Sequence, residues 1–206
     1  AVGEGIEDLI PGDHVVFVFV PSCGHCGPCQ AGRPALCEPG ATANGRGELL
    51  GGGMRLSRNG QPVYHMTGVS SFASHAVINR RSLVRIDRDV PLSIAALMGC
   101  AVLTGAGAVF NMNAVLPGGR TAVVGLGGVG LAAILGAAAA GAETIIAVDT
   151  IPAKLELAAS LGATHCFDAA DPDLTGKIKE ATSGGVDAAL EFAGSARALE
   201  AAFSMT

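Results

Sequence analysis

The 206-residue sequence has few charged residues and no excess of positive ones. Only 15% of the residues are Asp, Glu, Lys or Arg, whereas 50% are hydrophobic. This balance excludes a disordered chain, because so much hydrophobic side chain is enough to form a buried core. The formal net charge of −5 offers no basic face for nucleic acid. The composition therefore predicts a folded protein of one large or two modest domains.

No signal-peptide pattern is present, although the sequence contains six cysteines. Four of them fall within 15 residues, between Cys23 and Cys37. Exported proteins use cysteine mainly for disulfides, so a tight cluster without an export signal favours an intracellular metal site. We therefore expect a cytoplasmic protein.

Charge is also absent from residues 90–119, a run long enough to span a bilayer. Glycine and proline interrupt this run, Asn111 and Asn113 lie in it, and small residues outnumber Leu, Ile and Phe. We interpret it as a buried helical connection in a soluble protein, and expect no association with a membrane.

A glycine-rich turn lies between an apolar strand pattern and an uncharged helical stretch. It reads Gly125-Leu126-Gly127-Gly128-Val129-Gly130, and a second apolar run ends at Asp149, 19 residues after the last glycine. Gly-x-Gly-x-x-Gly alone is weak evidence, and an ordinary strand–helix–strand crossover is the alternative. A strand before it, a helix after it and an acid at this distance are together typical of a dinucleotide site.

Each position of this motif has a physical role. Gly125 would permit the tight turn, Gly127 would let the backbone approach a pyrophosphate, and Gly130 would let the helix pack closely on the strand. The free N–H groups at the start of the helix would bind the phosphates. Asp149 would accept two hydrogen bonds from the adenosine ribose. Its charge would repel a 2′-phosphate, and the next residues, Thr150 and Ile151, include no arginine, so NAD is expected rather than NADP.

Strand and helix patterns alternate after Asp149. Helices are expected at residues 152–161, 174–182 and from 196 onward, with strands at residues 164–167 and 186–192. This alternation predicts an α/β fold with a doubly wound parallel sheet. The usual strand order, 3-2-1-4-5-6, would place four of the six strands in this chain.

The cysteine cluster reads Cys23-Gly-His25-Cys26-Gly-Pro-Cys29, followed after seven residues by Cys37. Four thiolates complete a tetrahedral zinc shell and leave no open position, so the site should be structural. An iron–sulfur cluster and a Cys-x-x-Cys redox pair are the alternatives. Zinc is favoured because Cys37 lacks the Cys-x₃-Cys-Pro context of bacterial ferredoxins. His25 is expected to be solvated.

The rest of the first half carries weaker signals. Residues 38–68 are expected to be loop, residues 15–20, 72–78 and 83–86 to be strands, and a helix is expected from Pro91. His65 and His75 have no ligand spacing to each other and are interpreted as structural. Cys100 lies in apolar surroundings, where a lone cysteine is usually a small core residue.

Taken together, these motifs resemble those of the zinc-dependent medium-chain alcohol dehydrogenases. The resemblance covers the whole chain and rests on motifs in the family's order: Pro11-Gly-Asp-His14, the four cysteines, Gly99-Cys100 with Thr104-Gly105, the glycine turn, Asp149 and Gly184-Gly-Val-Asp187. It implies part of a mostly-β, GroES-like catalytic domain at residues 1–110, with a zinc lobe at 21–38. A NAD-binding Rossmann domain without its last strands would follow at 111–206.

The resemblance also implies the roles of single residues. The four clustered cysteines would hold a structural zinc, and Cys100 would be a ligand of a second, catalytic zinc. The family's other catalytic ligands, a cysteine and the histidine of a Gly-His-Glu motif, would lie before Ala1, so the chain resembles an internal fragment. The remaining implied positions are Thr104 and Val129 near the nicotinamide, Lys154 at the ribose, and Phe19 and Met66 in the substrate pocket.

The activity implied for the parent enzyme is hydride transfer from an alcohol to NAD, which yields an aldehyde or ketone, with zinc as Lewis acid. The family suggests a homodimer or homotetramer. Two alternatives stay open. A zinc-free reductase of the same superfamily usually lacks the cysteine lobe, and a non-catalytic module would bind nucleotide and metal only.

Overall fold

The computed structural model describes residues 1–112 and 115–206. It contains two compact units, Ala1–Cys100 and Ala101–Thr206. The expected domain boundary between residues 110 and 111 stays a prediction, and Asn113 lies outside the described residues.

The first unit contains two small antiparallel sheets. Its strands are β1 (His14–Phe17), β2 (Leu56–Arg58), β3 (Gln61–Val63) and β4 (Leu83–Ile86). β1 pairs with β4, and β2 pairs with β3 through a two-residue turn. Both turn residues, Asn59 and Gly60, have positive φ (53° and 76°), as such a hairpin turn requires.

Residues 38–68 were expected to be loop, and this prediction is wrong. They contain the β2–β3 hairpin and a nine-residue helix, α2 (Glu38–Arg46). A shorter helix, α1 (Gly27–Gln30), precedes α2. The Cys37 side chain caps α2 by accepting a hydrogen bond from the Gly40 N–H, and Gly47, at φ 64°, ends the helix.

The strand expected at residues 72–78 is not formed, so this prediction is also wrong. Among the described residues no neighbouring strand pairs with this segment. An extended segment becomes a strand only when a partner satisfies its backbone N–H and C=O groups. The strand expected at residues 15–20 is shorter, ending at Phe17.

Residues 92–111 of the uncharged run form a nearly continuous helix. It consists of α3 (Leu92–Ala95), a π-helical turn (Met98–Val102) and α4 (Leu103–Asn111). Only 17% of its most apolar window is buried, so the expectation of a buried connection is wrong for this chain. The helix is long and apolar enough to cross a membrane, but a core helix of a soluble protein passes the same test.

The second unit is a four-stranded parallel sheet with helices on both faces. Its strands and helices are β5 (Arg120–Val124), α5 (Gly128–Ala139), β6 (Thr144–Asp149), α6 (Pro152–Ser160), β7 (His165–Asp168), α7 (Leu174–Ala181), β8 (Ala188–Glu191) and α8 (Ala196–Met205). The strand order is β7-β6-β5-β8. This is the expected order 3-2-1-4, and it confirms the α/β prediction.

Two hydrophobic clusters cover the two faces of this sheet. Val123 and Ile145 pack with α5 on one face, whereas Ala122 and Ile146 pack with α7 and α8 on the other. Side chains of successive residues in one strand therefore pack into the clusters on opposite faces, because side chains alternate along a strand with a period of two residues. The carboxyl ends of β5 and β6 meet at one edge of the sheet, which brings the glycine turn and Asp149 together.

Candidate cofactor and metal sites

The glycine turn after β5 has the geometry that its sequence predicts. Gly125 has a φ of 91°, and a Cβ there would lie 2.5 Å from the backbone nitrogen of Ala193. A Cβ on Gly130 would overlap the carbonyl oxygen of Gly125, so the close packing of α5 on the strand end depends on this glycine. Gly127 differs, because no described protein atom lies within 4 Å of the place its Cβ would take.

The N-terminus of α5 is available to an anion. The helix begins at Gly128, and within the described part of the chain no side chain caps it and no acidic residue lies in its first turn. The first N–H groups of a helix have no partner inside the helix, and the helix dipole adds partial positive charge there. A pyrophosphate over the open space at Gly127 would satisfy these donors.

Asp149 ends β6 and is buried, with 8% of its surface exposed. Oδ2 accepts hydrogen bonds from the Leu126 N–H (2.8 Å) and from Lys154 Nζ (3.4 Å), and Oδ1 accepts one from the Ile151 N–H (3.0 Å). Burial raises the pKa of Asp149, but these N–H donors and the Lys154 ammonium outweigh burial and lower the pKa below its ordinary value. A carboxylate has about four acceptor positions, so about one remains free rather than the expected two.

A cavity of about 190 Å³ opens beside Asp149. Its walls are mostly apolar and include Val148, Leu174 and Ala198, which suits a flat aromatic base. Arg197, from the first turn of α8, also lines this cavity, and its Nη2 lies 3.4 Å from the Ala169 carbonyl oxygen.

Sequence reasoning missed Arg197 because it considered only the residues that directly follow Asp149. β8 pairs with β5, so the residues that follow β8 reach the same edge of the sheet as Asp149. An arginine three residues after Gly194, at the start of the helix after β8, was the signal in the sequence.

The two residues expected near the nicotinamide lie on neighbouring helices of the second unit. α4 packs against α5 at Gly105, where a Cβ would overlap the carbonyl oxygen of Val129. Thr104, next to Gly105 in α4, is exposed. The packing therefore brings the segments that carry Thr104 and Val129 together.

The four clustered cysteines come together at one point. The sulfur atoms of Cys23, Cys26, Cys29 and Cys37 all lie within 4.8 Å of one another. Four sulfurs bound at 2.3 Å to a tetrahedral zinc are about 3.8 Å apart, so small shifts would complete the shell. The donor set therefore fits a structural zinc.

Backbone N–H groups support these sulfurs. Cys37 Sγ accepts hydrogen bonds from the Cys23 N–H (3.2 Å) and the Gly40 N–H (3.3 Å), as thiolate ligands do. The hydrogen bond from the His25 backbone lowers the pKa of Cys23 to about 6, whereas burial raises the pKa of Cys29 to about 11. A bound cation would therefore be needed to keep the Cys29 thiol deprotonated at neutral pH.

Gly24, between the first two cysteines, has a φ of 83°. The Arg81 guanidinium occupies the place where a side chain of residue 24 would project. The positive φ therefore favours glycine here, whereas the flexible end of the Arg81 side chain could move away from a Cβ.

Cys100 lies in the π-helical turn and is exposed. With Phe19 it lines an open, mostly apolar cleft of about 390 Å³ in the first unit. A Cβ on Gly99 would lie 2.5 Å from the Phe17 carbonyl oxygen, so this glycine allows the turn to approach β1. Met66 is 69% exposed, and its neighbour Thr67 lines the cleft.

Cys100 does not by itself form a metal site. Among residues 1–112 and 115–206, the four-cysteine cluster is the only group of three or more side chains placed to share a metal ion. A lone thiolate cannot fix the three-ligand geometry of an open zinc site. These residues alone therefore do not fit a catalytic zinc.

Two models of protein domains match this sequence. Residues 1–88 match the alcohol dehydrogenase GroES-like domain, and residues 128–206 match the zinc-binding dehydrogenases. Alcohol dehydrogenase B of Mycobacterium tuberculosis is 44% identical over 183 residues, which are 89% of this chain and 48% of that protein. The S-(hydroxymethyl)glutathione dehydrogenase of a Synechocystis strain is 41% identical over 203 residues, which are 98% of this chain and 55% of that protein.

Solved structures are similar over the whole chain. An alcohol dehydrogenase zinc-binding domain protein from Burkholderia ambifaria is 40% identical with a TM-score of 0.91, and the match covers 56% of that protein. Benzyl alcohol dehydrogenase from Acinetobacter calcoaceticus is 37% identical with a TM-score of 0.85, and the match covers 55% of it. The chain spans about half the length of the curated relatives it matches.

Proposed function

Because the chain belongs to the zinc-dependent medium-chain alcohol dehydrogenases, we propose that it is the central part of a longer enzyme that oxidises an alcohol with NAD. The observation that carries this proposal is the edge of the parallel sheet. There the uncapped start of α5, the glycine turn and Asp149 meet beside a cavity shaped for an aromatic base.

In this proposal the second unit binds the cofactor. The pyrophosphate lies over Gly127, Gly128 and the start of α5, while Gly125 and Gly130 shape the turn. Asp149 would accept a hydrogen bond from a ribose hydroxyl, and the Lys154 ammonium would hold the Asp149 carboxylate in place. The adenine would enter the cavity that Arg197 helps to line. Thr104 and Val129 flank the nicotinamide.

The first unit would carry the metals and the substrate. The four clustered cysteines hold a structural zinc, which fixes the lobe. Cys100 is one ligand of a second zinc, and its remaining ligands belong to sequence outside these residues. In the full-length parent, that zinc would supply Lewis acidity and a bound nicotinamide would supply the hydride acceptor.

The substrate of this proposal is a small alcohol, or the aldehyde or ketone in the reverse direction. Phe19, Phe17 and Leu92 line the cleft beside Cys100, and such apolar walls suit an apolar substituent on the alcohol. Met66 would contact the outer part of the substrate. We further propose a homodimer or homotetramer in the cytoplasm.

The test is to express the full-length parent and measure reduction of NAD with a panel of alcohols, including benzyl alcohol. Turnover is expected, and Cys100→Ser should abolish it while the zinc of the cysteine lobe is retained. Reduction of a substrate by NADPH that survives Cys100→Ser would instead identify a zinc-free reductase. Binding of NAD and zinc without turnover of any alcohol would identify a non-catalytic module.

A further inference from the structure

A tight loop at residues 66–71 follows the β2–β3 hairpin and forms part of the wall of the cleft beside Cys100. Thr67, Val69 and Ser71 line this cleft. The 66–71 loop therefore contributes three of its six residues to the proposed substrate site. Its conformation sets how far these side chains reach into the cleft.

The backbone of the 66–71 loop is strained. Thr67 and Ser70 have φ angles of 53° and 45°, and Gly68 between them has a φ of 70°. Left-handed conformations are disfavoured for residues with a Cβ, and most of all for a β-branched residue such as Thr67. Such conformations persist only where the surrounding structure holds them in place.

A buried histidine provides that restraint. His65 is 5% exposed, and its Nε2 accepts a hydrogen bond of 3.0 Å from the backbone N–H of Arg55. The neutral ring therefore carries its proton on Nδ1, which donates to Ser70 Oγ at 3.2 Å. The same Oγ accepts a hydrogen bond of 3.0 Å from the Met66 N–H, so Ser70 closes the loop on itself.

The histidine is itself held by the hairpin and by α2. The His65 N–H donates to the carbonyl oxygen of Gly47 at 2.8 Å, just after α2. Both ring nitrogens and the backbone of His65 are thus engaged, and the chain of hydrogen bonds ends on the 66–71 loop. The hydrogen bonds of His65 thus connect the hairpin to a strained loop at the cleft, which packing alone would not require.

We propose that His65 and Ser70 are a positioning pair that holds the 66–71 loop in its strained form and thereby determines which alcohols the cleft accepts. This inference rests on the proposed alcohol oxidation and deepens it. Neither side chain touches the reacting atoms, so both act through Thr67, Val69 and Ser71.

The main variant for a test in the full-length enzyme is Ser70→Gly. Glycine accepts the positive φ, so this substitution removes the hydroxyl without adding backbone strain. His65→Ala removes the other partner but also empties a buried site, so it serves as the second variant. His75→Ala is the matched control, because His75 is exposed and, within residues 1–112 and 115–206, the only hydrogen bond of its ring joins Nδ1 to the neighbouring Ser74 Oγ.

The expected result is a change in substrate selectivity. Ser70→Gly should change the ratio of kcat/KM for a bulky alcohol to that for a small one by about tenfold, the size of a one-group change in a binding pocket. The KM for NAD and the zinc content should match wild type, as they should in His75→Ala. A uniform fall in kcat/KM for all alcohols, or no change, would overturn the proposal.

Hydrogen exchange gives a second measurement that needs no turnover. The Met66 amide bonds to Ser70 Oγ and should exchange faster in Ser70→Gly than in wild type or His75→Ala. Unchanged protection across residues 66–71 would overturn the positioning pair. A wild type that oxidises no alcohol refutes the proposed function instead, and the exchange result still decides whether the pair holds the loop.

Discussion

At the scale of single residues, three charged side chains lie in or beside the proposed adenosine pocket. Asp149 supplies a negative charge, whereas Lys154 bonds to it and Arg197 lines the same cavity. A 2′-phosphate would meet the Asp149 carboxylate, but Lys154 bonds to that carboxylate and Arg197 lines the same cavity. We therefore expect Asp149 to set the preference for NAD and Arg197 to limit how strong that preference is.

This division of roles predicts the behaviour of two variants. Asp149→Ser should reduce the preference for 5′-AMP over its 2′-phosphorylated form by about tenfold or more, because a like-charge contact is removed. The double variant Asp149→Ser, Arg197→Ala should bind the 2′-phosphorylated form more weakly than Asp149→Ser does. Isothermal titration measures both affinities, with Arg58→Ala as the control for losing an exposed arginine. If Arg197→Ala changes these affinities no more than Arg58→Ala does, Arg197 has no role in binding the 2′-phosphate.

Substitutions of two glycines in the turn, Gly127 and Gly130, are expected to affect different properties. Gly130→Ala places a Cβ on the Gly125 carbonyl oxygen, so it should lower the free energy of unfolding by about 1–3 kcal/mol. Gly127→Ala meets no described protein atom, so stability should hold while affinity for NAD falls. Thermal unfolding and NAD titration of both variants are the measurements. Equal loss of stability in both would show that Gly127 is required by the fold and not by a ligand.

At the scale of elements, the cysteine lobe buries few apolar side chains, although Pro21 and Cys37 are fully buried. α1 has four residues and none of them is buried, and in α2 the buried residues are Gly40 and Ala43. Four thiolates around one ion would therefore replace the core that these short helices cannot form.

Removing one thiolate should consequently unfold the lobe locally. Cys29→Ser is expected to lose the structural zinc and expose residues 23–37 to proteolysis, whereas Cys166→Ser, a cysteine in β7, should do neither. Elemental analysis of the wild type should give about one zinc per lobe. Iron at this site, or a stable Cys23–Cys26 disulfide under reducing conditions, would refute the assignment.

At the scale of the whole molecule, the described residues present a strand edge and exposed aromatic side chains. β8 lies at the edge of the described sheet and pairs with β5 alone. Phe203 on α8 is 82% exposed, and Phe72 in the first unit is fully exposed. Unpaired strand edges and exposed aromatic residues promote association between copies.

These 206 residues alone should therefore aggregate, bind NAD weakly and oxidise no alcohol. Among the described residues Cys100 belongs to no group of three or more side chains placed to share a metal ion, so no catalytic zinc and no activity are expected. Size-exclusion chromatography, NAD titration and an NAD reduction assay compare this chain with the full-length parent. The parent should stay in solution, bind NAD more tightly and oxidise an alcohol. Alcohol oxidation by the 206 residues alone would mean that their own side chains complete the catalytic site.

Features that depend on local spacing could be predicted from the sequence. The glycine turn, Asp149 and the alternating strands and helices predicted the parallel sheet and its order, because periodicity and glycine positions are local properties. The cysteine spacing likewise predicted the cluster, since two intervening residues bring thiolates to one point.

Tertiary structure alone decided what depends on distant partners. Arg197 reaches the pocket of Asp149 because β8 pairs with β5, and His65 restrains Ser70 because the hairpin fixes its ring. The segment at residues 72–78 has strand composition but forms no strand in this chain, because a strand needs a neighbour to accept its hydrogen bonds. Composition specifies what a segment can form, whereas contacts between segments far apart in the chain determine what it does form.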